Sequence, residues 1–226
     1  MRIGVLASGG GSNLQALIDH FARRDSTDSP IVWVGSNDAT APALTRAAAA
    51  GIGAGVIDDP ADGATQLAQF RDAGVELLVL AGYLKLIPAN VVRAYRGRLL
   101  NVHPSLLPSF GGAGMFGAHV HAAVLAAGAT VSGVTVHFVD EAFDRGAIVA
   151  QWPVPVVPGD TSRTLAARVL RVEHRLYPLC VAAVATGAIV LDADGRTRGS
   201  LESPAMHSSL DWRFALVDDP HPTLSN

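Results

Sequence analysis

The chain has 226 residues, 49% of them hydrophobic and 16% charged, with a mean hydropathy of +0.30. That balance excludes a disordered chain and suits one domain with its own core, followed by a tail. Twenty acids against seventeen bases give a net charge of −3, which argues against a general nucleic-acid binder. From the first residue, IGVLAS (3–8) reads as a buried strand. The opening MRIGVLAS, with one basic residue and a short apolar stretch, makes no leader peptide, so a soluble cytoplasmic protein is expected. NLQALIDHFAR (13–23) follows, with Leu14, Leu17, Ile18 and Phe21 at helical spacing. IVWVGS (31–36), AGVI (54–57) and VELLVLAG (75–82) are strand candidates, interleaved with helical APALTRAAAA (41–50) and TQLAQFRDA (65–73). Such alternation predicts an α/β fold: a Rossmann-like, mostly parallel sheet with helices on both faces, whose ligands collect beyond the carboxyl ends of the strands.

Beyond residue 98 the pattern changes. RLLNVH (98–103) is a strand, and PSLLPSFGGAGMFG (104–117) is a loop too long for a mere connector. HVHAAVLAAG (119–128) predicts a helix capped by Gly128. VSGVTVHFVD (131–140) and AIVAQWPVPV (147–156) predict an antiparallel pair. Asp160 is the expected N-cap of one long helix over 161–187, bent at Pro178. The lone cysteine, Cys180, lies there in LCVAAV, where it reads as a small buried hydrophobe; a single cysteine excludes an intramolecular disulfide and a multi-thiolate metal site. The longest apolar segments fall short of the ~18 residues that a membrane span needs. The expected organisation is a domain over 1–198 and a poorly ordered tail over 199–226.

Three segments carry candidate chemistry. SGGGSN (8–13) joins a strand to a helix N-terminus, which with close-approaching glycines makes an anion cradle. Leu14 stands where the dinucleotide fingerprint has its third glycine, and no Gly-Lys-Ser/Thr follows, so one terminal phosphate fits better than a pyrophosphate. Asn101 and His103, two apart on a strand, project from the same side and could together stabilise a developing oxyanion. In HFVDEAFDRG (137–146) three acids fall within five residues, so Asp144 is either a turn residue or a functional carboxylate. His137 reads equally as a bonded core histidine or a catalytic one. Glu173 could be a solvated helix position.

Together, SGGGSNLQALI, SND, LAGYLKLIP, NVHPSLLPSF, SGVTVHFVD with Asp144-Arg145-Gly146, and GDTSRTLAARVLRVEHRLYP resemble the folate-dependent phosphoribosylglycinamide formyltransferases over about residues 1–195. The resemblance implies formyl transfer from 10-formyltetrahydrofolate to the primary amine of glycinamide ribonucleotide, by direct amine attack and without a metal. It implies a catalytic set of Asn101, His103 and Asp144, with the Asp144 carboxylate raising the His103 pKa and keeping the ring charged. Gly11, Ser12 and Asn13 would hold the ribonucleotide phosphate and Glu173 the sugar hydroxyls. Leu84, Lys85, Leu86 and Ile87 would contact the pterin, with Val139, Asp140 and the stretch to Asp144 closing the slot. His119 would be a further substrate contact. The partners implied are small molecules, with no nucleic acid or membrane, and the protein is expected as a monomer or homodimer.

The chain departs from the family in lacking an Arg in ADGATQLAQF, in carrying Lys85 where Arg is common, and in its longer glycine-rich loop. Two alternatives stand beside this reading. A formyltetrahydrofolate deformylase would share Asn, His and Asp, but its motif reads closer to N-x-H-H-S-F-L-P. A non-catalytic phosphate-binding module would keep the cradle and use none of the three. A transfer-RNA formyltransferase needs a C-terminal barrel, for which the residues after 195 are too few.

Overall fold

The computed structural model describes residues 1–22 and 30–201. The expected end of the first helix at Arg23 and the expected tail from Glu202 onward lie outside the described residues. In chain order the elements are β1 (Ile3–Leu6), α1 (Ser12–Ala22), β2 (Ile31–Ser36), α2 (Pro42–Ala49), β3 (Gly53–Val56), α3 (Gly63–Asp72) and β4 (Leu77–Leu80). Then come α4 (Ala89–Ala94), β5 (Leu99–His103), α5 (Ala118–Ala126), β6 (Val131–Phe138), β7 (Ile148–Pro155), α6 (Ser162–Ala185), β8 (Ile189–Leu191) and β9 (Thr197–Gly199).

Seven strands form one sheet in the order β3-β2-β1-β4-β5-β6-β7, and β8-β9 form a separate hairpin. β1 to β5 pair in parallel, while β6 runs antiparallel to β5 and β7 antiparallel to β6. β4 shows why the parallel strands read as unbroken apolar runs. Leu77 and Val79 face the layer of α1 and α6, whereas Leu78 and Leu80 face that of α3 and α4, so both sheet faces are buried. Tyr177 of α6 is fully buried, and its hydroxyl donates to Leu80 O (2.9 Å) and Leu100 O (3.2 Å). That contact fastens α6 to the carboxyl end of β4 and the start of β5. Strand order reverses about β1 and β4, which is where an open α/β sheet leaves a crevice.

Three local expectations need correction. The N-cap of α6 is Thr161, whose side chain forms a reciprocal capping box with Thr164. Asp160 instead takes the Arg168 guanidinium, at 2.7 Å and 3.0 Å, in a pair whose side chains are both 2% exposed. The strand expected over 75–82 pairs only over Leu77–Leu80. The hairpin β8-β9 and the short helix α4 were not expected. β9 runs to Gly199, and Leu201 packs against the core.

Candidate active site

A cleft of about 920 Å³ opens at the carboxyl ends of β4 and β5, walled by the 82–87 segment, the 112–118 loop, the 139–144 turn and one face of α6. Asn101, His103, His121, His137 and Asp144 line it. Asn101 and His103 point the same way from β5, as their spacing predicts. Antiparallel register sets His137 of β6 directly opposite Asn101. The His137 Nδ1–H donates to Phe138 O at 2.8 Å. Asn101 Nδ2 lies 3.2 Å from its Nε2, and the amide has two hydrogens, one of which can serve a ligand.

Asp144 reaches this group from the turn after β6. Its Oδ2 lies 3.5 Å from His103 Nδ1 and its Oδ1 lies 3.7 Å from His137 Nε2. The Gly112 N–H donates to Oδ2 at 2.8 Å. Burial pushes the Asp144 carboxyl up, but His137, the Gly112 amide and His103 together outweigh it and hold it below the ordinary range. For His103 the expectation reverses. Burial, with the ring 3% exposed, outweighs the Asp144 carboxylate and the Phe110 carbonyl, and the imidazole lies below its usual value. Near neutral pH the ring is therefore mostly uncharged and able to accept a proton, rather than held as an imidazolium. His121 is also lowered, by burial and by nearby His103.

The cradle forms as its glycines predict. The carbonyls of Gly9, Gly10 and Gly11 accept from Ala43 N–H, Arg46 Nε and Gln15 N–H respectively. The first N–H groups of α1 have no partner inside the helix, so this end of the loop favours an anion. Gly11 is required: its φ is +69°, and an added Cβ would lie 2.9 Å from Ala43 Cβ. Asn13 and Glu173 meet at the cleft wall, where Asn13 Nδ2 donates to Glu173 Oε2 at 2.6 Å. Glu173 is buried, not solvated, and burial raises its carboxyl despite the Asn13 bond. Ser12 lines a different groove, between α1, α2 and α6, beside Arg46 and His174, and Gly11 is not part of the cleft wall. Of the expected phosphate set, the structure brings Asn13 alone to the cleft.

The slot residues Leu84, Lys85, Leu86, Ile87, Val139 and Asp140 all line the cleft. Leu84 and Leu86 are 56% and 53% exposed, apolar surface that a flat ring could cover. His119 does not line the cleft; it is exposed and packs on Phe116, with ring centroids 5.2 Å apart. His121 and His137 take the inward places. The alternation of VTVHFV could have assigned His137 to the Asn101 side, but only the register puts the two side by side.

Residues 1–181 match the model of the formyl transferase family. The crystal structure of phosphoribosylglycinamide formyltransferase from Anaplasma phagocytophilum is similar at a TM-score of 0.80 and 37% identity, covering 90% of this chain and 96% of that one. The chain belongs to the phosphoribosylglycinamide formyltransferase family. Glycinamide ribonucleotide transformylase 1 from Symbiobacterium toebii is similar at a TM-score of 0.79 and 38% identity, over 88% of this chain and 93% of that one. The trifunctional purine biosynthetic protein adenosine-3 of Drosophila pseudoobscura pseudoobscura is 46% identical over 197 residues, 83% of this chain and 14% of that protein. The chloroplastic phosphoribosylglycinamide formyltransferase of Vigna unguiculata is 40% identical over 200 residues, 86% of this chain and 64% of that protein. The chain thus spans less than two thirds of the length of these two relatives. No helix among the described residues is long and apolar enough to cross a membrane.

Proposed function

We propose that the protein transfers the formyl group of 10-formyltetrahydrofolate to the primary amine of glycinamide ribonucleotide. The observation that carries this reading is the gathering of Asn101, His103, His137 and Asp144 on one cleft between an apolar slot and the Asn13–Glu173 wall. The folate donor fits the slot of Leu84, Leu86, Ile87 and Val139, and it supplies an electrophilic formyl carbon. The ribonucleotide would sit across Asn13 and Glu173, with its phosphate towards Gly11 and Ser12.

Attack by the amine forms the new carbon–nitrogen bond and places negative charge on the formyl oxygen. The free N–H of Asn101 is the fixed donor for that charge. Neutral His103, backed by ionised Asp144, takes the proton that the amine sheds. The same proton then goes to the departing nitrogen, so the step balances without an outside acid. The reaction calls on small molecules alone, in the cytoplasm, and needs no nucleic acid.

The test mixes the full chain with 10-formyltetrahydrofolate, with and without glycinamide ribonucleotide, and follows folate absorbance. Turnover that requires the amine is expected. Formate release without the amine would make the protein a hydrolase, and ribonucleotide binding without turnover would make it a binding module; either result overturns the proposal.

A further inference from the structure

The loop between β5 and α5 closes onto the reacting groups through its backbone. His103 Nε2–H donates to Phe110 O at 2.9 Å, and two residues later Gly112 N–H donates to Asp144 Oδ2 at 2.8 Å. Between them, a Cβ on Gly111 would run into the Leu107 side chain and lie 3.2 Å from Asp144 Cβ. Phe110 and Asp144 both have φ of 55°, and among the described residues they are the non-glycine ones with positive φ. A left-handed bulky residue is costly and persists only where its surroundings hold it. Here the two such residues flank one contact, the approach of the loop to the His103–Asp144 pair.

We infer that the Phe110–Gly111–Gly112 backbone is a positioning element for the reaction: the Phe110 carbonyl fixes the proton of neutral His103 on Nε2, which assigns Nδ1, facing Asp144, as the nitrogen that takes and returns the proton. This rests on the formyl-transfer reading for its chemistry, but the tautomer itself is a property of the protein without ligand. A neutral imidazole has one donor and one acceptor nitrogen, and the bond made by one decides the role of the other. A carbonyl can only accept, so Phe110 O commits Nε2 to donating. The Gly112 amide engages Asp144 Oδ2, and that oxygen, 3.5 Å from Nδ1, is too far to hold a proton there against the 2.9 Å bond at Nε2. The groups facing His103 are Asp144, His137 and His121, and the Asp144 carboxyl is held below its ordinary range.

The experiment is nitrogen-15 NMR of histidine-labelled full chain without substrates, at a pH where His103 is neutral and with its signals assigned by loss in His103→Gln. The expected pattern is a protonated Nε2 and an unprotonated Nδ1. A protonated Nδ1, or a fast average of both tautomers, would overturn the inference. Gly111→Ala should displace the loop, turn the His103 pattern into an average and lower kcat with little change in KM. Phe110→Gly keeps the carbonyl and relieves the left-handed residue, so the native tautomer should survive it. If Gly111→Ala keeps both the tautomer and kcat, the loop is not what sets the nitrogen roles. A wild-type chain with the expected tautomer but no formyl transfer would sink the functional reading and leave the tautomer assignment standing.

Discussion

At the scale of single residues, the proposed reaction would divide its work between Asn101 and His103 by protonation. Asn101 cannot titrate, so its N–H serves at every pH. Replacing it by Ala should cost about 2.7–4 kcal/mol in the barrier, or about 10²–10³-fold in kcat, with KM largely kept; steady-state kinetics that place the whole loss in KM would refute the donor role. His103 must be neutral to accept a proton, and its pKa lies below the usual 6.5. Activity should therefore fall as pH drops through a midpoint below 6.5. The Asp144 charge raises that pKa, so Asp144→Asn should move the acid limb further down while lowering the rate. A pH–rate profile with its acid midpoint above 6.5, or one that Asp144→Asn leaves in place, would contradict this. The pairing of Asn101 with His103 was legible from two-residue spacing on a strand. The protonation state of His103 was not, because it depends on burial by segments remote in the chain, and a neighbouring carboxylate seen alone suggests the opposite sign.

At the scale of elements, the start of α6 separates two roles that one sequence motif blurs. In PGDTSRTL both Asp160 and Thr161 are cap-forming residue types, and local sequence does not say which one is engaged elsewhere. The structure commits Asp160 to Arg168, which also donates to Pro155 O at 3.0 Å, and leaves the cap to Thr161. Thr161→Ala should cost about 1 kcal/mol, as cap losses do. Asp160→Ala takes the carboxylate away from a buried guanidinium and should cost about 3–5 kcal/mol. Urea denaturation of the two variants gives the order directly, and equal losses would be inconsistent with it. Long apolar or amphipathic runs such as those of β4 and α6 were legible because their period repeats several times. α4 has six residues and β8 and β9 have three each, too few for a period to show.

At the scale of the molecule, the sheet ends in β7, whose outer edge is blunted. Val156 N–H bonds inward to Thr130 O, so the alternate positions 153 and 155 face outward. Both are prolines with no N–H to offer, and Pro155 O is already taken by Arg168. Replacing Pro153 and Pro155 together by Val should restore an edge able to add a strand, and sedimentation velocity should then show self-association beyond that of the parent chain. No increase would mean that the prolines do not guard this edge. The sheet's parallel half was legible from alternating strands and helices, while the order of strands, which puts β1 beside β4 and opens the crevice there, comes from packing that no local pattern encodes.

The bond between Asn13 and Glu173 joins the first helix to the last long one. On the ribosome, the strands that carry Asn101 and His103 emerge well before residue 173 does, and Asn13 waits without its counterpart. A nascent or truncated product ending ahead of α6 keeps Asn101 and His103 but lacks the Asn13–Glu173 wall of the cleft. Among the described residues, α6 is thus the helix whose arrival completes that wall.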